Sequence, residues 1–544
     1  MSVLRGAWDV ADAYLGDVLL PSLIGDGLFN LCLAGLCTAL LALGLVVRRQ
    51  RRSRDVYVLD FAVFQPKDQD FVMNNSQLLR VAMTRFGYSA PALNFMRRVA
   101  EKAGLGHETY MPLSFKAYDC TITTAREEAE TVIFGAIDEL FEKTGISPQQ
   151  IGCIITNCSL FCPTPSLSSM IVNHYGFDSS VKTFSLGGMG CSASMIGLDL
   201  GRMVMHYTPG LVLLISTENM TLNFYRGENR SMLLQNILFR MGCSAVLLSP
   251  TESFSLGRGR TLYAKYRLKD LVRTHHGASD DSYRCVYQTT DDAGVIGVSI
   301  GKTVPKCAGK ALQENMITVF KRNLPPSEVL RFLVHSLWRR GLGYKLGLCY
   351  DIVEKDGKPC KVRPAPFKPV ISRVFDHLCF HTGGRGVLDE MEHLLNLNEE
   401  QMAASRATLF RYGNTSSSSV WYELAYHEST HAVRPGSRVW QISFGSGFKC
   451  NSAIWVATRH YRSTIPTIFD HQDPEYTWSK AKEKPYALED DIQNMIFEDS
   501  CQVYRDEQDT QEYERFCAKF HSRLEQDFGL AANVASKQEL PIIS

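Results

Sequence analysis

Short apolar runs alternate with helical patterns through residues 110–460. Three of these runs, Ile151 to Asn157, Leu211 to Thr217 and Val439 to Phe444, have few polar positions, which is typical of strands buried on both faces. Among the helical patterns, one opens at Thr124-Ala-Arg-Glu127, a predicted capping box, and ends at Gly145. Such strands separated by helices predict an α/β protein with a mostly parallel sheet that helices cover on each side.

The N-terminal part of the chain carries a different pattern. Leu28 to Val47 is apolar at all but two positions, and five arginines follow within residues 48–54. Twenty such residues can span the roughly 30 Å of a bilayer's hydrocarbon, and the arginines predict that the chain after them lies in the cytosol. A cleaved signal peptide is disfavoured because the basic residues follow the apolar core. The earlier run Leu15 to Ile24 is interrupted by an aspartate and a proline. The sequence therefore leaves open whether the chain has one membrane segment or two.

Composition and charge exclude some classes of function. The 544 residues carry a formal net charge of only +1, so the chain lacks the basic field that nucleic-acid binding requires. The sixteen cysteines are scattered through apolar runs, and Cys153, Cys158 and Cys162 do not form paired metal-binding knuckles. We therefore expect reduced thiols in a protein that faces the cytosol, with no metal site.

Cys191 is a candidate nucleophile. Val181 to Leu186 reads as a strand, Ser192 to Tyr207 has helical spacing, and the three glycines between them permit a tight turn. Cys191 is thus predicted at the start of a helix, where free backbone N–H groups and the helix dipole favour a thiolate over a thiol. On this run alone, an inert buried cysteine is an equal alternative.

Two further segments offer partners for a nucleophile. An apolar run delivers His381 to a glycine-rich turn, and Asn414 lies in a serine-rich loop before a helical segment. A cysteine, a histidine and an asparagine at element ends form a possible nucleophilic constellation. Taken singly, His381 also fits a core histidine, and Asn414 fits ordinary turn chemistry.

Several longer motifs occur in order between about residues 110 and 459. They are Leu186-Gly-Gly-Met-Gly-Cys191, Thr217-Glu-Asn-Met-Thr221, Arg230-Ser-Met-Leu-Leu234, Val272-Arg-Thr-His275, Arg284-Cys-Val-Tyr-Gln288, His381-Thr-Gly-Gly-Arg385, Tyr412 to Tyr426 and Val439 to Ile454. On these motifs the chain resembles the plant-type very-long-chain 3-ketoacyl-CoA synthases, the membrane-bound condensing enzymes of fatty-acid elongation. The family's catalytic Cys, His and Asn fall on Cys191, His381 and Asn414.

The resemblance implies a thiolase-like α/β fold of two similar βαβαβ halves behind an N-terminal transmembrane anchor. We accordingly divide the chain into an anchor at 1–54, a linker and cap at 55–109, a half with the nucleophile at 110–300, and a half with His and Asn at 301–460. Residues 461–544 form a charged extension that departs from the plant-type enzymes. It is either a solvated appendage or a partner-binding segment.

The resemblance also implies the reaction. Cys191 would accept an acyl group from acyl-CoA, and malonyl-CoA would then condense with it to give 3-ketoacyl-CoA, CoA and carbon dioxide. His381 and Asn414 would stabilise the enolate, and Gly445, Ser446, Gly447 and Phe448 would help to bind the second oxyanion, although a plain hairpin turn explains these glycines equally well. No metal or redox cofactor is expected. A type III polyketide synthase-like enzyme and an inactive elongase scaffold are the alternatives.

The same resemblance predicts where the protein works and with what. We expect the endoplasmic reticulum membrane, a homodimer, and a complex with the ketoacyl-CoA reductase, hydroxyacyl-CoA dehydratase and enoyl-CoA reductase of elongation. Nucleic acid is not an expected partner. The preferred acyl chain length is not predicted by the sequence.

Overall fold

The computed structural model describes residues 55–205, 207–340, 351–355, 358–362, 367–430 and 432–459. Within these ranges, no helix combines the length and the apolar character needed to cross a bilayer. The predicted anchor at 1–54, with its main span at 28–47, lies outside the described residues, as does the charged extension at 461–544.

The described strands and helices alternate along most of the chain. The strands are β1 Tyr57–Val63, β2 Ile151–Asn157, β3 Lys182–Leu186, β4 Leu211–Glu218, β5 Gly242–Ser249, β6 Ser253–Gly257, β7 Arg260–Tyr263, β8 Tyr266–His275, β9 Val286–Thr290, β10 Ile296–Ile300, β11 Asp351–Lys355, β12 Lys358–Val362, β13 His377–Phe380, β14 Arg438–Gly445 and β15 Lys449–Ala457. The α-helices are α1 Asn75–Val81, α2 Ala90–Ala100, α3 Leu113–Lys116, α4 Ile122–Thr144, α5 Leu167–Tyr175, α6 Ala193–Val204, α7 Arg230–Leu238, α8 Asp280–Arg284, α9 Val304–Asn323, α10 Pro326–Arg340, α11 Ile371–Val374, α12 Arg385–Leu395, α13 Glu399–Tyr412 and α14 Ser419–Ser429.

Nine strands form one sheet in the order β13-β14-β15-β8-β1-β5-β4-β2-β3. Three neighbouring pairs are parallel, namely β2 with β3, β2 with β4, and β13 with β14, whereas the other five pairs are antiparallel. The prediction of a mostly parallel sheet was therefore wrong. Burial on both faces made these strands apolar throughout, and such burial occurs in antiparallel strands too when helices cover both sides.

The sheet consists of two halves with the same pattern of strand pairing. From the centre outward, β1, β5, β4 and β2 pair as antiparallel, antiparallel and parallel, and β8, β15, β14 and β13 repeat that sequence. The halves meet where Tyr57 pairs with Arg267 and Val58 with Tyr266. The strand assigned by sequence to a linker and cap, β1, thus lies at the centre of the sheet.

Helices pack on the strands of each half. In the first half α4 contacts β1, β4 and β5 while α6 contacts β2 and β4, and in the second half α9 contacts β8 and β15 while α14 contacts β13 and β14. Helix α4 begins one turn before the predicted capping box, because the Thr121 side chain accepts a hydrogen bond from the Thr124 N–H. It ends at Gly145, as predicted.

A buried ionic cluster lies where the two halves meet. Lys265 Nζ lies 2.8 Å from both Asp60 Oδ1 and Glu428 Oε2, and Lys143 Nζ lies 3.1 Å from Asp60 Oδ1. Asp60 belongs to β1, Glu428 to α14, and Lys265 immediately precedes β8. The cluster therefore connects the first half to the second through charge-assisted hydrogen bonds.

Candidate active site

A tight turn carries Cys191 between strand β3 and helix α6. Residues Gly190–Ser192 form one turn of 3-10 helix, and Gly190 has a φ of +70°. The Gly190 N–H donates to Ser159 Oγ at 2.9 Å, and a Cβ on Gly190 would lie 2.5 Å from the Ser446 backbone nitrogen. Both the positive φ and this close approach require glycine. The predicted location of Cys191 at the start of a helix is confirmed.

Cys191 lines a cavity of about 590 Å³. Much of the cavity wall is apolar, with Met111, Leu160, Phe224, Phe239, Val286 and Val298 among its residues. Polar groups approach it from both halves, including Glu218 from the first half and Ser416 and Ser446 from the second. An apolar cavity with a few polar groups beside a cysteine suits a largely apolar substrate that carries a reactive polar end.

The electrostatic setting of Cys191 differs from the prediction. Burial raises the pKa of its thiol to about 12, while the hydrogen bond from Ser416 opposes this rise and the charge of Glu218 adds to it. Helix-start N–H groups were expected to favour the thiolate, but in this site the loss of water outweighs them. The resting group is thus a thiol at neutral pH, and a proton acceptor is needed to activate it.

The carboxyl group of Glu218 is the charge that acts on this thiol. Its oxygens accept hydrogen bonds from the Leu160 N–H at 2.9 Å, the Ser159 N–H at 3.3 Å and the Cys158 thiol at 3.3 Å. The side chain is buried, and burial raises its pKa despite these donors. A fixed carboxylate with a raised pKa is suited to take up and return a proton.

Ser416 connects this carboxylate to the thiol. Its Oγ lies 3.6 Å from Cys191 Sγ and 3.1 Å from Glu218 Oε2. A hydroxyl has one hydrogen, so it can donate to one of these neighbours while it accepts from the other. Ser416 also has a φ of +56°, an uncommon conformation for a residue other than glycine. The geometry thus provides a proton path from Cys191 through Ser416 to Glu218.

His381 follows directly after β13 and is buried. Its backbone N–H donates to the Ile442 carbonyl at 3.0 Å, and its ring Nδ1 lies 2.8 Å from Ser419 Oγ at the start of α14. Burial lowers the pKa of the imidazole to about 4, so the ring is neutral at pH 7. A neutral ring held at Nδ1 can present Nε2 to a ligand.

Asn414 is fixed through its backbone and its side-chain carbonyl. Its backbone N–H donates to the Leu238 carbonyl and its own carbonyl accepts from the Arg240 N–H, both at 3.0 Å, while its Oδ1 accepts from the Ser416 N–H at 2.9 Å. These contacts leave the side-chain NH2 available as a donor. The Thr382 hydroxyl donates to the Gly413 carbonyl at 3.0 Å, which ties the histidine segment to the asparagine segment.

The structure brings the three predicted catalytic residues into one connected network. Ser416 touches Cys191 and hydrogen-bonds Asn414, while Ser419, three residues later, holds His381. The Trp421 indole of α14 donates to Ser194 of α6 at 2.7 Å and so fixes the two helix starts against each other. Cys191 lines the cavity itself, whereas His381 and Asn414 are buried and are not among the lining residues.

Comparison with known proteins decides the family. A family model described as FAE1/Type III polyketide synthase-like protein matches residues 48–341, and one described as 3-oxoacyl-(acyl-carrier-protein) synthase III C terminal matches residues 372–457. Arabidopsis thaliana 3-ketoacyl-CoA synthase 4 is 43% identical over 437 residues, which cover 80% of each chain. The chain belongs to the 3-ketoacyl-CoA synthase family. The family predicted from the sequence, a family of condensing acyltransferases, is confirmed.

Other relatives agree with this 3-ketoacyl-CoA synthase assignment. Arabidopsis thaliana 3-ketoacyl-CoA synthase 2 is 45% identical over 75% of this chain and 74% of its own, and a probable 3-ketoacyl-CoA synthase 20 of Oryza sativa is 44% identical over the same shares. A type III pentaketide synthase from Neurospora crassa has a TM-score of 0.55 at 18% identity, covering 74% of this chain and 99% of its own. That likeness is one of fold, and it confirms the predicted thiolase-like architecture.

The Gly445–Phe448 segment of this 3-ketoacyl-CoA synthase family member is the turn between β14 and β15. Ser446 and Gly447 line the cavity, and a Cβ on Gly445 would lie 2.4 Å from Ser192 Oγ. Phe448 is buried and its carbonyl accepts from the His276 N–H at 2.9 Å. The segment is thus a hairpin turn that packs directly against the Cys191 turn, and its part in substrate binding stays a prediction.

Sequence reasoning missed Glu218, Ser416 and Ser419. Glu218 lay within a motif that carried the resemblance, but it received no role there. A signal was available, because Glu218 ends a strand whose other positions are apolar or small. An acidic residue at the end of a buried strand requires hydrogen-bond partners, which often marks a functional site.

Proposed function

We propose that the protein is a very-long-chain 3-oxoacyl-CoA synthase. It would catalyse the decarboxylative Claisen condensation of a long-chain acyl-CoA with malonyl-CoA, giving 3-ketoacyl-CoA, CoA and carbon dioxide, as the first step of fatty-acid elongation. One observation carries the proposal: Cys191 lies on the wall of a largely apolar cavity and shares a hydrogen-bond network with His381 and Asn414. Membership in the 3-ketoacyl-CoA synthase family supports the choice of substrates.

The first half-reaction acylates Cys191. As the sulfur attacks the thioester carbonyl of acyl-CoA, the thiol proton passes through Ser416 towards Glu218. A carbon–sulfur bond to Cys191 forms, the bond to CoA breaks, and the CoA thiolate takes up a proton from solvent while Glu218 keeps the thiol proton. The apolar wall residues, Phe224, Phe239 and Val298 among them, would hold the acyl chain away from water.

The second half-reaction forms the carbon–carbon bond. Malonyl-CoA loses carbon dioxide, and the electron pair of the broken bond becomes an enolate whose oxygen accepts hydrogen bonds from His381 and from the NH2 of Asn414. The enolate carbon attacks the acyl carbonyl on Cys191, with the Cys191 N–H and the Gly445–Phe448 turn as donors to the second oxyanion. Collapse releases 3-ketoacyl-CoA and returns the proton to sulfur. No metal or redox cofactor takes part in these steps.

The cellular setting belongs to the same proposal. The apolar run at 28–47 and its arginines support an anchor in the endoplasmic reticulum membrane with the catalytic body in the cytosol. A homodimer would work beside the ketoacyl-CoA reductase, hydroxyacyl-CoA dehydratase and enoyl-CoA reductase that complete each elongation cycle. Carbonate extraction tests the anchor, because an integral protein stays in the membrane pellet.

A type III polyketide synthase-like activity is the second candidate. The fold of the solved polyketide synthases and the description of the matching family model favour it. The two activities differ in the number of condensations: an elongase adds one malonyl-derived unit before its product leaves, whereas a polyketide synthase extends its product repeatedly. Identities above 40% to 3-ketoacyl-CoA synthases favour the elongase.

Microsomes that carry the full-length protein test the proposal. They are supplied with malonyl-CoA and a series of acyl-CoA primers, and the acyl products are measured by mass spectrometry. We expect 3-ketoacyl-CoA two carbons longer than the primer, and we expect its loss in Cys191→Ala. Multiply extended products would support the polyketide activity instead. Equal product from Cys191→Ala and the parent would exclude Cys191 as the nucleophile.

A further inference from the structure

Helix α10, Pro326–Arg340, presents an apolar face to the outside of the protein. Val329, Leu330, Leu333, Val334, Leu337 and Trp338 are 40–63% exposed. They are six of the seventeen large apolar side chains that are exposed in the described part of the chain, so a single helix holds over a third of them. Soluble surfaces rarely cluster such residues without a binding partner.

The opposite face of α10 is attached to the protein body. The Phe332 and Phe367 rings lie 5.6 Å apart, and the buried Glu328 carboxylate pairs with Arg331 at 2.6 Å and with Arg373 at 3.3 Å. At 100° per residue, the six exposed positions cover an arc of about 180° on a helix about 22 Å long. The helix is therefore fixed in place with its apolar half turned outward, as in a helix that lies in a membrane interface.

The charges near this face are mainly positive. Between residues 321 and 339 and from 367 to 373, the described residues include five exposed cations and one acid: Lys321, Arg322, Arg331, Lys368 and Arg373 against Glu328. Asp270, which pairs with Arg322, adds a second acid. The local net charge of these groups is therefore +3, compared with +1 for the whole chain. A positive surface beside an apolar face is complementary to anionic lipid headgroups.

The helix also begins near the point where the chain would leave the bilayer. Tyr57, the first residue of β1, lies ten residues past the predicted span, so it is within about 35 Å of the membrane surface. It pairs with Arg267 of β8. Three residues further along β8, Asp270 accepts a hydrogen bond from Asn323 at 2.9 Å, and α10 begins three residues after Asn323. The start of β1 at Tyr57 and the start of α10 thus lie on the same side of the protein.

We propose that α10 docks on the cytosolic face of an anionic bilayer, with Leu330, Leu333, Val334 and Leu337 inserted among the acyl chains. This proposal rests on the proposed function in one respect, because it takes the protein to be anchored in the same membrane. Docking at a second site fixes the orientation of the catalytic body relative to the bilayer. The acyl substrates of a very-long-chain enzyme partition into that bilayer, so a fixed orientation shortens their path to the cavity.

A second copy of the chain is a weaker occupant for this face. Two copies meeting through α10 would bring together two surfaces of net charge +3, and like charges in contact oppose association. Anionic lipid removes this difficulty, because each headgroup supplies a negative charge. Trp338 at the far end of the helix also fits a lipid interface, where tryptophan is enriched.

Photocrosslinking in reconstituted vesicles tests the docking. Full-length protein carries a diazirine amino acid in place of Leu337, and the vesicles contain phosphatidylcholine and phosphatidylserine. The matched control carries the same group in place of Tyr207, which is 82% exposed and follows α6 in the first half. We expect lipid adducts at position 337 and none at position 207. A second label in place of Val334 guards against a local defect at position 337.

The outcomes separate docking from anchoring. Lipid adducts at 334 and 337 support the proposal, whereas adducts to a peptide of this chain or of a second copy overturn it. Carbonate-resistant protein without lipid adducts at 334 or 337 overturns α10 docking and leaves the anchor intact. Adducts at 337 in protein that carbonate removes support docking and contradict the anchor. Equal adduct yields in vesicles without phosphatidylserine contradict the part of the proposal that rests on charge.

Discussion

Ser416 Oγ lies 3.1 Å from Glu218 Oε2, and the same oxygen lies 3.6 Å from the sulfur of Cys191. The first half of the fold supplies the thiol and the carboxylate, and the second half supplies the hydroxyl between them. Because burial keeps Cys191 protonated at neutral pH, the acylation that we propose needs a group that accepts the thiol proton. The Ser416–Glu218 contact meets this need without a charged histidine.

Replacing Glu218 with Gln keeps the side chain's shape but removes the proton acceptor. We expect acylation of Cys191 to slow about a hundredfold or more at pH 7, as for the loss of a general base. The rate is measured as acyl-enzyme formation in a single turnover by mass spectrometry. Glu218→Gln should recover partly as pH rises, because the thiolate then forms without the carboxylate.

The matched control for Glu218→Gln is Glu128→Gln. Glu128 is also buried, but its oxygens accept from the backbone N–H groups of Met220 and Thr221. That variant should acylate at nearly the parent rate if it folds. An unchanged acylation rate in Glu218→Gln would show that the proton leaves by another path.

The raised pKa of Cys191 predicts slow alkylation. With a pKa of about 12, the thiolate fraction and hence the rate of iodoacetamide labelling should rise about tenfold per pH unit between pH 7 and 9. Ser416→Ala should label more slowly still, because the Ser416 hydroxyl stabilises the thiolate. The extent of alkylation is measured on the peptide that contains Cys191, and Cys191→Ser serves as the negative control. A rate that is already level at pH 7 would mean that the resting enzyme holds a thiolate.

His381→Ala and Asn414→Ala should separate the two half-reactions. Each removes a donor to the enolate oxygen, which is worth about 3 kcal/mol or roughly a hundredfold in rate. We expect acyl-enzyme to form and accumulate while malonyl-dependent condensation falls. Quenched-flow measurement of both species provides the test. Parent-rate condensation in both variants would disprove the roles given to these side chains.

Lys265→Met should destabilise the protein by about 3–5 kcal/mol, because it leaves Glu428 buried without its cation and leaves Asp60 with Lys143 alone. The free energy of unfolding in detergent measures the loss, and Lys302→Met at an exposed position is the control. A loss no greater than that of the control would show that the cluster adds little to the joining of the halves.

The pH dependence of this cluster follows from two opposite shifts. Burial alone would raise the pKa of Asp60, but Lys265 and Lys143 outweigh burial and lower that pKa. The contribution of Asp60 to the free energy of unfolding is therefore lost only in acid, as the pH falls through the lowered pKa. Burial alone would lower the pKa of Lys265, yet Asp60 and Glu428 raise it. The contribution of Lys265 to the free energy of unfolding is complete below about pH 10 and is lost as the pH rises through the raised pKa. The difference between parent and Lys265→Met should therefore be constant between about pH 5 and 9.

Local patterns predicted the elements well and their directions poorly. Ile151–Asn157 was predicted residue for residue. Strands β3 and β4 differ from their predictions by one residue at one end, and β14 differs by one residue at each end. The direction in which β4 and β5 pair depends instead on contacts made some thirty residues apart, for which an apolar run carries no signal. Helix α4 began a turn early because Thr121 and Thr124 cap it together.

In the active site too, features set by local sequence were predicted, whereas features set by distant contacts were not. Glycine spacing was enough to place Cys191 at the start of a helix, because turn geometry is local. The acidity of Cys191 was predicted in the wrong direction, since burial by distant segments sets it. Ser416 and Ser419 could not be told apart from their serine neighbours, because their roles depend on contacts with Cys191 and His381 across the fold.

The central position of β1 has a consequence for folding during synthesis. Its hydrogen-bonded partners in β5 and β8 lie between 181 and 210 residues further along the chain. At 5–20 residues per second, translation delivers them roughly 10 to 40 s after β1 leaves the ribosome. Throughout that interval a strand that is apolar at six of its seven positions has both edges open, so nascent β1 needs a chaperone or the ribosome surface to keep it from aggregating.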